Sequence, residues 1–342
     1  MRAQLESLLH HQWDRRGPIS WLLLPFSGLF MLGATIKRRR TVSKKLPVPV
    51  VVVGNIYVGG TGKTPVTIAL VKALQENGWN PGVISRGYKG NTEEPIEVLD
   101  NSNPDVVGDE PLLIKKSTHV PTFVCPKRIS AGQELLKKYP SVDVIISDDG
   151  LQHYELARDI ELAVVGARGL GNRWVLPAGP LRESPSRLSQ VDAIVLNATD
   201  DIIFSSKPRF AATSGLRTCY SYSSGEEYNL DTLARMQFKK ELKAIGVAGI
   251  AVPERFFSML RAHDLNIEEL ALPDHYDFDK NPFAKLDADL IFITEKDAVK
   301  CRKHPEIKND PRIFVVPLEM VLDKHLIDFV IQKLNYNKRK DI

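Results

Sequence analysis

The stretch from 50 to 74 constrains the fold more than any other part of the chain. It reads VVVVGNIYVGGTGKTPVTIALVKAL, an apolar β-branched run, a glycine-rich loop and an apolar segment with helical spacing. A buried strand that passes through glycines into a helix N-terminus directs backbone N–H groups at one point, where they bind phosphate oxygens. This order of elements therefore predicts a phosphate-binding loop of the P-loop type.

Six residues form the predicted loop: Gly59, Gly60, Thr61, Gly62, Lys63 and Thr64. In such loops the lysine reaches the β- and γ-phosphates, and the threonine hydroxyl binds Mg²⁺. Tyr57 stands where the general G-x-x-x-x-G-K-[ST] pattern has its first glycine. A glycine-rich turn without a ligand is the alternative interpretation, which the agreement of strand, loop and helix disfavours.

Two adjacent carboxylates follow another apolar run, 142–147. Asp148 and Asp149 precede Gly150, at the predicted end of a strand. Carboxylates at the end of a strand beside a P-loop can hold Mg²⁺ directly or through water. An apolar strand that ends in two aspartates is common, and it gains significance here from the P-loop.

Short apolar runs alternate with helical patterns from residue 47 onward. The runs are continuous rather than alternating, which is typical of parallel strands buried on both faces. We predict an α/β fold, a P-loop NTPase-like doubly wound parallel sheet with a second, smaller α/β lobe, a short antiparallel β linker and an N-terminal apolar helix. The predicted parts are 1–45 with the N-terminal helix and its basic flank, 46–205 with the P-loop, the linker 206–230, the second lobe 231–330 and the tail 331–342.

Residues 19–36 contain no charged side chain. A helix of this length covers about 27 Å, slightly less than the ~30 Å hydrocarbon core of a bilayer. Arg15 and Arg16 precede the run, and the denser cluster at 37–40 follows it. Basic flanks favour association with anionic lipids, with the rest of the chain on the cytoplasmic side. A buried core helix is the alternative, and the choice between spanning and surface binding stays open.

The formal net charge of +4 is unevenly distributed. Residues 1–45 hold nine basic and two acidic side chains, so the remainder carries −3. Because residues 46–342 carry no net positive charge, they offer no extended positive field for a nucleic acid, which argues against nucleic acid as a partner. Three scattered cysteines are too few for a disulfide framework, which indicates a reducing compartment.

A P-loop alone leaves the class of reaction open. A GTPase needs [NT]-K-x-D, but residues 294–297 read TEKD, with the lysine one position late. A partition-type ATPase carries a lysine before the paired glycines, where this chain has Val58. Phosphoryl transfer to a bound acceptor remains, and it requires a base for the acceptor hydroxyl. Asp109 and the Asp274-His275 pair are candidates, although Asp109 fits a plain helix N-cap equally well.

Seven motifs now stand in order along the chain: GGTGKTP at 59–65, SRGY at 85–88, GDEP at 108–111, DDGLQH at 148–153, LPAGPLRE at 176–183, PDHY at 273–276 and TEKDAVK at 294–300. Together they resemble the tetraacyldisaccharide 4′-kinases of lipid A biosynthesis in Gram-negative bacteria, from the N-terminal helix to near residue 320. The Tyr57 mismatch is with the general P-loop pattern and not with this family.

The resemblance implies transfer of the ATP γ-phosphate, with Mg²⁺, to the 4′-hydroxyl of a tetraacyldisaccharide 1-phosphate, giving lipid IVA at the cytoplasmic face of the inner membrane. The partners would be the acylated disaccharide lipid and the membrane surface. The roles it implies are Asp109 as base, coupled to His275, with Lys63 and Thr64 on phosphates and Mg²⁺, Asp148, Asp149 and Glu183 at the metal, and Arg86, His153 and Arg182 near phosphate or substrate. A membrane-tethered P-loop ATPase acting as a switch or scaffold is the alternative function.

Overall fold

The computed structural model describes residues 13, 16–87, 94–199, 205–274, 276–301 and 304–340. Its strands are β1 Val50–Gly54, β2 Pro81–Ser85, β3 Ile96–Glu97, β4 Thr122–Val124, β5 Val144–Asp148, β6 Ile160–Val165, β7 Ala193–Asn197, β8 Arg209–Gly215, β9 Thr218–Ser221, β10 Glu227–Asn229, β11 Ala244–Ala248, β12 Ile267–Ala271, β13 Leu290–Thr294, β14 Ile313–Val316 and β15 Glu319–Leu322. Its helices are α1 Pro18–Arg40, α2 Lys63–Glu76, α3 Pro104–Val107, α4 Asp109–Thr118, α5 Arg128–Lys138, α6 Leu230–Lys240, α7 Pro253–Arg261, α8 Glu295–Cys301, α9 Pro305–Lys308 and α10 Lys324–Lys340, with a 3₁₀ turn at Pro185–Ser189.

The first sheet has the strand order β15-β8-β7-β6-β1-β5-β2-β4-β3. From β8 to β4 all neighbours are parallel, and antiparallel strands close both edges. Val50 and Val52 of β1 pack into one core and Val51 and Val53 into another, because successive side chains point to opposite faces. Helices cover both faces, which confirms the doubly wound α/β fold.

The second sheet has the order β10-β9-β14-β13-β11-β12. Four of its strands are parallel, and β9 and β10 are antiparallel additions. Its two faces also lie in separate apolar cores, one with α6 and α7 and the other with α8 and α9. We call the parts built on the two sheets the first and second lobes.

The segment predicted as an antiparallel linker is shared between the sheets. β8 pairs parallel with β7 and antiparallel with β15 in the first sheet. β9 pairs antiparallel with β10 and β14 in the second. The antiparallel pairs therefore extend the two lobes, and the chain crosses between them at 216–217.

The C-terminal part departs from the predicted boundaries at 330 and 331. β15 and α10 return to the first lobe, and Leu326, Val330 and Leu334 of α10 are fully buried in the core that also holds Leu70 of α2. These residues repeat at i, i+4 and i+8, which places them on one helix face. Residues 331–340 are therefore the end of a packed helix rather than a separate tail.

Helix α1 buries polar side chains against the protein and exposes its large apolar ones. Ser20 and Ser27 are buried, whereas Trp21, Leu22 and Leu29 are 59%, 75% and 67% exposed. The Ser27 hydroxyl donates to the Val175 carbonyl at 2.7 Å and accepts from the backbone N–H of residue 178. Against the residues that the structure describes, only 11% of its most apolar window is buried, which argues against a core helix.

Candidate active site

The P-loop follows β1 and leads into α2. Gly62, the N-cap of α2, has φ +83°, and a Cβ there would collide with the Asn197 amide. The amide groups of Asn55 and Asn197 donate to the Thr61 hydroxyl at 2.9 Å and to the Thr61 carbonyl at 3.0 Å. Two asparagines at the ends of β1 and β7 thus fix the loop, and neither was predicted from the sequence.

Tyr57 explains the departure from the general P-loop pattern. Its backbone forms a bridge with Leu181, and Val58 N–H donates to the Pro180 carbonyl at 2.8 Å. The tyrosine is buried at 4% exposure. The start of the loop is therefore held by pairing with the segment around 181 and does not require a glycine at 57.

Lys63 points at the predicted acid pair. Its Nζ lies 3.6 Å from Asp149 Oδ1, and Arg182 Nη1 lies 3.2 Å from both oxygens of the same carboxylate. Burial raises the pKa of Asp149, but the charges of Lys63 and Arg182 outweigh it and leave the pKa below the ordinary value. The structure thus brings three predicted site residues together around an ionised carboxylate.

Asp148 has a different environment from Asp149, the next residue in the chain. Its side chain is 1% exposed, and Oδ1 accepts from the Thr67 hydroxyl at 3.0 Å. Burial, followed by the charges of Glu110 and Asp149, raises the pKa of Asp148 to about 7. The charges of two further carboxylates therefore act on the buried end of β5, and the buried Thr64 lies in the first turn of α2.

Glu183 is linked to the end of β1 through the side chain of Gln152. Gln152 Nε2 donates to Glu183 Oε1 at 2.7 Å and to the Asn55 carbonyl at 2.9 Å, and the Tyr154 hydroxyl donates to Oε2 at 2.5 Å. Arg187 Nε lies 3.5 Å from Oε2. Glu183 is thus fixed by protein groups on both oxygens. Single polar residues such as Gln152 and Tyr154 carry no periodic signal, so their role was not predicted.

His153 lies in a basic environment. Its Nε2 accepts from the Arg128 backbone N–H at 3.3 Å. Burial, followed by the charges of Arg128 and Arg158, lowers its pKa to about 4, and the more distant charges of Lys37 and Arg86 act in the same direction. The ring is therefore neutral at physiological pH. Arg86 itself is exposed.

Asp109 opens α4 and is buried at 8% exposure. Gly108 is the N-cap, so the interpretation of Asp109 as a plain cap is wrong. Across the gap between the lobes, Asp109 Oδ2 lies 3.7 Å from Lys300 Nζ and 3.9 Å from Lys296 Nζ. The negative charge of the adjacent Glu110 contributes to the raised pKa of Asp148, so the N-terminus of α4 lies within electrostatic reach of the end of β5. His275, predicted to couple with Asp109, lies outside the described residues.

The second lobe also contacts the P-loop region. Arg255 Nη2 donates to Asn197 Oδ1 at 3.1 Å and to the Ser214 hydroxyl. A Cβ at Gly60 would lie 3.5 Å from the Ala251 Cβ. The second lobe thus lies against the P-loop region as well as against Asp109, and the acid pair lies beside Lys63 of the P-loop. Contact of both lobes with these groups is suited to phosphoryl transfer.

Comparison with known proteins shows the family to which the chain belongs. The family model described as tetraacyldisaccharide-1-P 4′-kinase (LpxK) matches residues 19–335. The chain belongs to this family. It is 44% identical to the tetraacyldisaccharide 4′-kinase of Herminiimonas arsenicoxydans and 45% identical to that of Janthinobacterium sp. (strain Marseille), each comparison covering 97% of both chains.

A solved structure shares the fold. The crystal structure of LpxK from Aquifex aeolicus in complex with ATP superposes with a TM-score of 0.76 at 28% identity, over 92% of this chain and 99% of that one. The resemblance found in the sequence is confirmed, and the protein is a lipid A 4′-kinase. The alternative of a switch or scaffold without a small acceptor is therefore set aside.

Proposed function

We propose that the cleft between the lobes transfers the γ-phosphate of ATP to the 4′-hydroxyl of its acylated disaccharide, with Asp109 as the base. The observation that carries this proposal is that the second lobe meets the first at two places, at the P-loop, where Ala251 faces Gly60, and at Asp109, which lies 3.7 Å from Lys300 Nζ. The acid pair supports it, since Asp149 lies 3.6 Å from Lys63 of the P-loop. ATP as the donor is supported by the ATP complex of the Aquifex aeolicus relative.

The P-loop binds the phosphates in this proposal. Its glycines let backbone N–H groups approach the oxygens, and the N-terminus of α2 adds a favourable dipole. Lys63 supplies a mobile positive charge, which Asp149 at 3.6 Å keeps near the cleft. Arg182, bonded to the same carboxylate, holds Asp149 in place.

Mg²⁺ fits the residues at this edge. It takes one or two carboxylates together with phosphate oxygens and water, rather than a cage of protein ligands. Among the described residues, no group of three His, Cys, Asp or Glu side chains could hold a metal ion without further ligands. Asp148, Asp149 and the Thr64 hydroxyl would hold the ion. Glu183 would act on it indirectly, through its hydrogen bond with Gln152. Bound there, it would neutralise charge on the phosphates.

Asp109 accepts the proton of the 4′-hydroxyl as the sugar oxygen bonds to the γ-phosphorus and the bond to the β-phosphate oxygen breaks. A carboxylate at a helix N-terminus is favoured in its ionised form. The family resemblance adds His275 as the partner of Asp109. We further propose that residues 46–215 with 319–340 and residues 218–318 act as two lobes whose closure excludes water, since an exposed site would hydrolyse ATP.

Helix α1 brings the site to the membrane in this proposal. Its exposed apolar face would lie in the bilayer surface or cross it, with the catalytic lobes on the cytoplasmic side. The guanidinium of Arg38, at the basic end of α1, lies 5.1 Å from the centre of the Tyr154 ring. Tyr154 in turn donates to Glu183. The apolar helix therefore ends beside the cleft, where an acylated acceptor would enter.

Binding of a non-hydrolysable ATP analogue, measured with and without Mg²⁺, tests these assignments. Lys63→Ala should weaken binding at least about tenfold in both conditions, because it removes the phosphate-facing charge. Asp148→Asn preserves the acceptor for Thr67, so it should reduce only the gain that Mg²⁺ brings. Lys72→Ala, on the exposed face of α2, is the matched control. An Asp148→Asn variant with the full Mg²⁺ effect would contradict the metal assignment.

A further inference from the structure

The lobes meet at a cluster of buried charges beside Asp109. Lys296 and Lys300 belong to α8 of the second lobe, and Asp109 and Glu110 open α4 of the first. Lys296 Nζ lies 3.1 Å from Glu110 Oε1 and 3.9 Å from Asp109 Oδ2, and Lys300 Nζ lies 3.7 Å from Asp109 Oδ2. Two ammonium groups from one lobe thus face two carboxylates from the other.

Within the second lobe the two lysines repel each other, although Asp274 acts favourably on both and Asp297 on Lys300. Lys296 and Lys300 are four residues apart and lie on the same face of a seven-residue helix, where like charges destabilise each other. Burial lowers the pKa of Lys300, which shows the cost of removing its ammonium from water. An arrangement that costs stability within one lobe indicates a role at the contact with the other.

Lys300 has unused hydrogen-bonding capacity. The residue is 8% exposed, and its Nζ makes no hydrogen bond to any residue that the structure describes. Asp297, its acidic neighbour in the same helix, accepts through Oδ2 from Gly249 N–H at 3.0 Å and from the Thr294 hydroxyl at 2.7 Å. Asp297 is therefore hydrogen-bonded within the second lobe. The Lys300 ammonium lies 3.7 Å from Asp109 of the first lobe.

Asp109 needs such a partner. An ionised carboxylate at 8% exposure is disfavoured unless positive charge compensates for the lost water. The distances of 3.7 and 3.9 Å exceed those of hydrogen bonds, so the two lysines act on Asp109 through charge. Asp274 also acts on both lysines electrostatically, from the loop that carries the PDHY motif.

We propose that Lys300, assisted by Lys296, is a positioning residue that keeps Asp109 negatively charged and directed into the cleft. The inference rests on the proposed role of Asp109 as the base. It assigns a role to the TEKDAVK motif, and it makes the base depend on the meeting of the lobes, since its compensating charge belongs to the second lobe. A separated first lobe would hold Asp109 without that charge.

A double-mutant cycle tests this inference in the full-length protein. Lys300→Met should lower kcat at least about tenfold, with the KM values for ATP and acceptor changed less than about twofold. Lys300→Arg retains the charge and should stay within about threefold of the wild-type kcat. In an Asp109→Asn background, Lys300→Met should change kcat by less than about twofold, because its target has gone. Lys308→Met, an exposed lysine of the same lobe, is the matched control.

The outcomes separate the inference from the proposed function. Equal loss of kcat from Lys300→Met in both backgrounds would show that Lys300 acts independently of Asp109 and would overturn the inference alone. A raised KM for ATP with unchanged kcat would assign Lys300 to nucleotide binding and also overturn it. Near-normal kcat in Asp109→Asn by itself would remove the base assignment, and the inference with it. Thermal unfolding checks each variant, and if Lys300→Met does not fold, Lys296→Met provides the same cycle.

Discussion

Asp148 and Asp149 show how neighbouring residues acquire different chemistry. Asp148 is the last residue of β5 and stays buried against Thr67, whereas Asp149 follows it with φ +48° and turns toward Lys63 and Arg182. Burial dominates at Asp148 and raises its pKa, and neighbouring cations lower that of Asp149. The sequence predicts the pair as a unit, since the backbone turn that separates them has no signal in the residue types.

His153 supports a prediction for acid stability. Its folded-state pKa of about 4 lies below the ordinary value of 6.5, so the unfolded chain binds its proton first as pH falls. The associated stability is fully present above pH 6.5 and is lost between pH 6.5 and 4. His153→Gln should therefore lose less stability than the wild type between pH 7.5 and 4.5, measured by urea unfolding. The exposed His325→Gln should behave like the wild type, and an equal loss in all three proteins would contradict the prediction.

Helix α1 is the element whose role depends most on the orientation of its faces. Its sequence predicts an apolar helix but does not say which side meets the protein. In the structure, the side that meets the protein carries Ser27, which hydrogen-bonds to the segment at 175–178. The Trp21 ring also lies 4.8 Å from the Trp174 ring. Polar groups dock the helix, and the larger apolar side chains stay exposed.

Because different side chains of α1 face the protein and the solvent, docking of the helix and membrane binding can be tested with separate variants. Leu22, Leu29 and Leu32 are 75%, 67% and 58% exposed, so their joint replacement by serine should leave the melting temperature within about 2 °C. The same replacement should reduce sedimentation with anionic vesicles several-fold, because the buried apolar area is lost. Ser27→Ala, the matched control, should lower the melting temperature and retain sedimentation. Unchanged sedimentation of the triple variant would contradict membrane binding through this face.

The elements predicted from the sequence are those with strong local signals. The continuous runs around β1, β2, β5, β6 and β7 identify central parallel strands, and the glycine loop fixes the start of α2. β15 was not predicted because it is short and half-buried, and its partner β8 is about a hundred residues away. Asn197 and Lys300 were not assigned roles for a related reason. Each acquires its partner only through long-range contacts, to Thr61 and to Asp109.

At the scale of the whole molecule, the proposed site is divided between the lobes. The first lobe supplies the P-loop, the acid pair and Asp109, and the second supplies Arg255, Lys296 and Lys300 at the contact. The return of α10 to the first lobe encloses the second lobe between two segments of the first. Two chain crossings therefore join the lobes, which suits a movement of one lobe against the other.

The most direct measurement of the central claim is transfer of label from γ-labelled ATP to the lipid fraction, with the acylated disaccharide in vesicles. The wild type should label the lipid only when the disaccharide is present. Asp109→Asn should transfer label at least about 100-fold more slowly, because it lacks the base, while its affinity for the nucleotide changes less than about twofold. Asp105→Asn, an exposed acid of the preceding helix, should transfer at the wild-type rate. Transfer by Asp109→Asn at close to the wild-type rate would contradict the account.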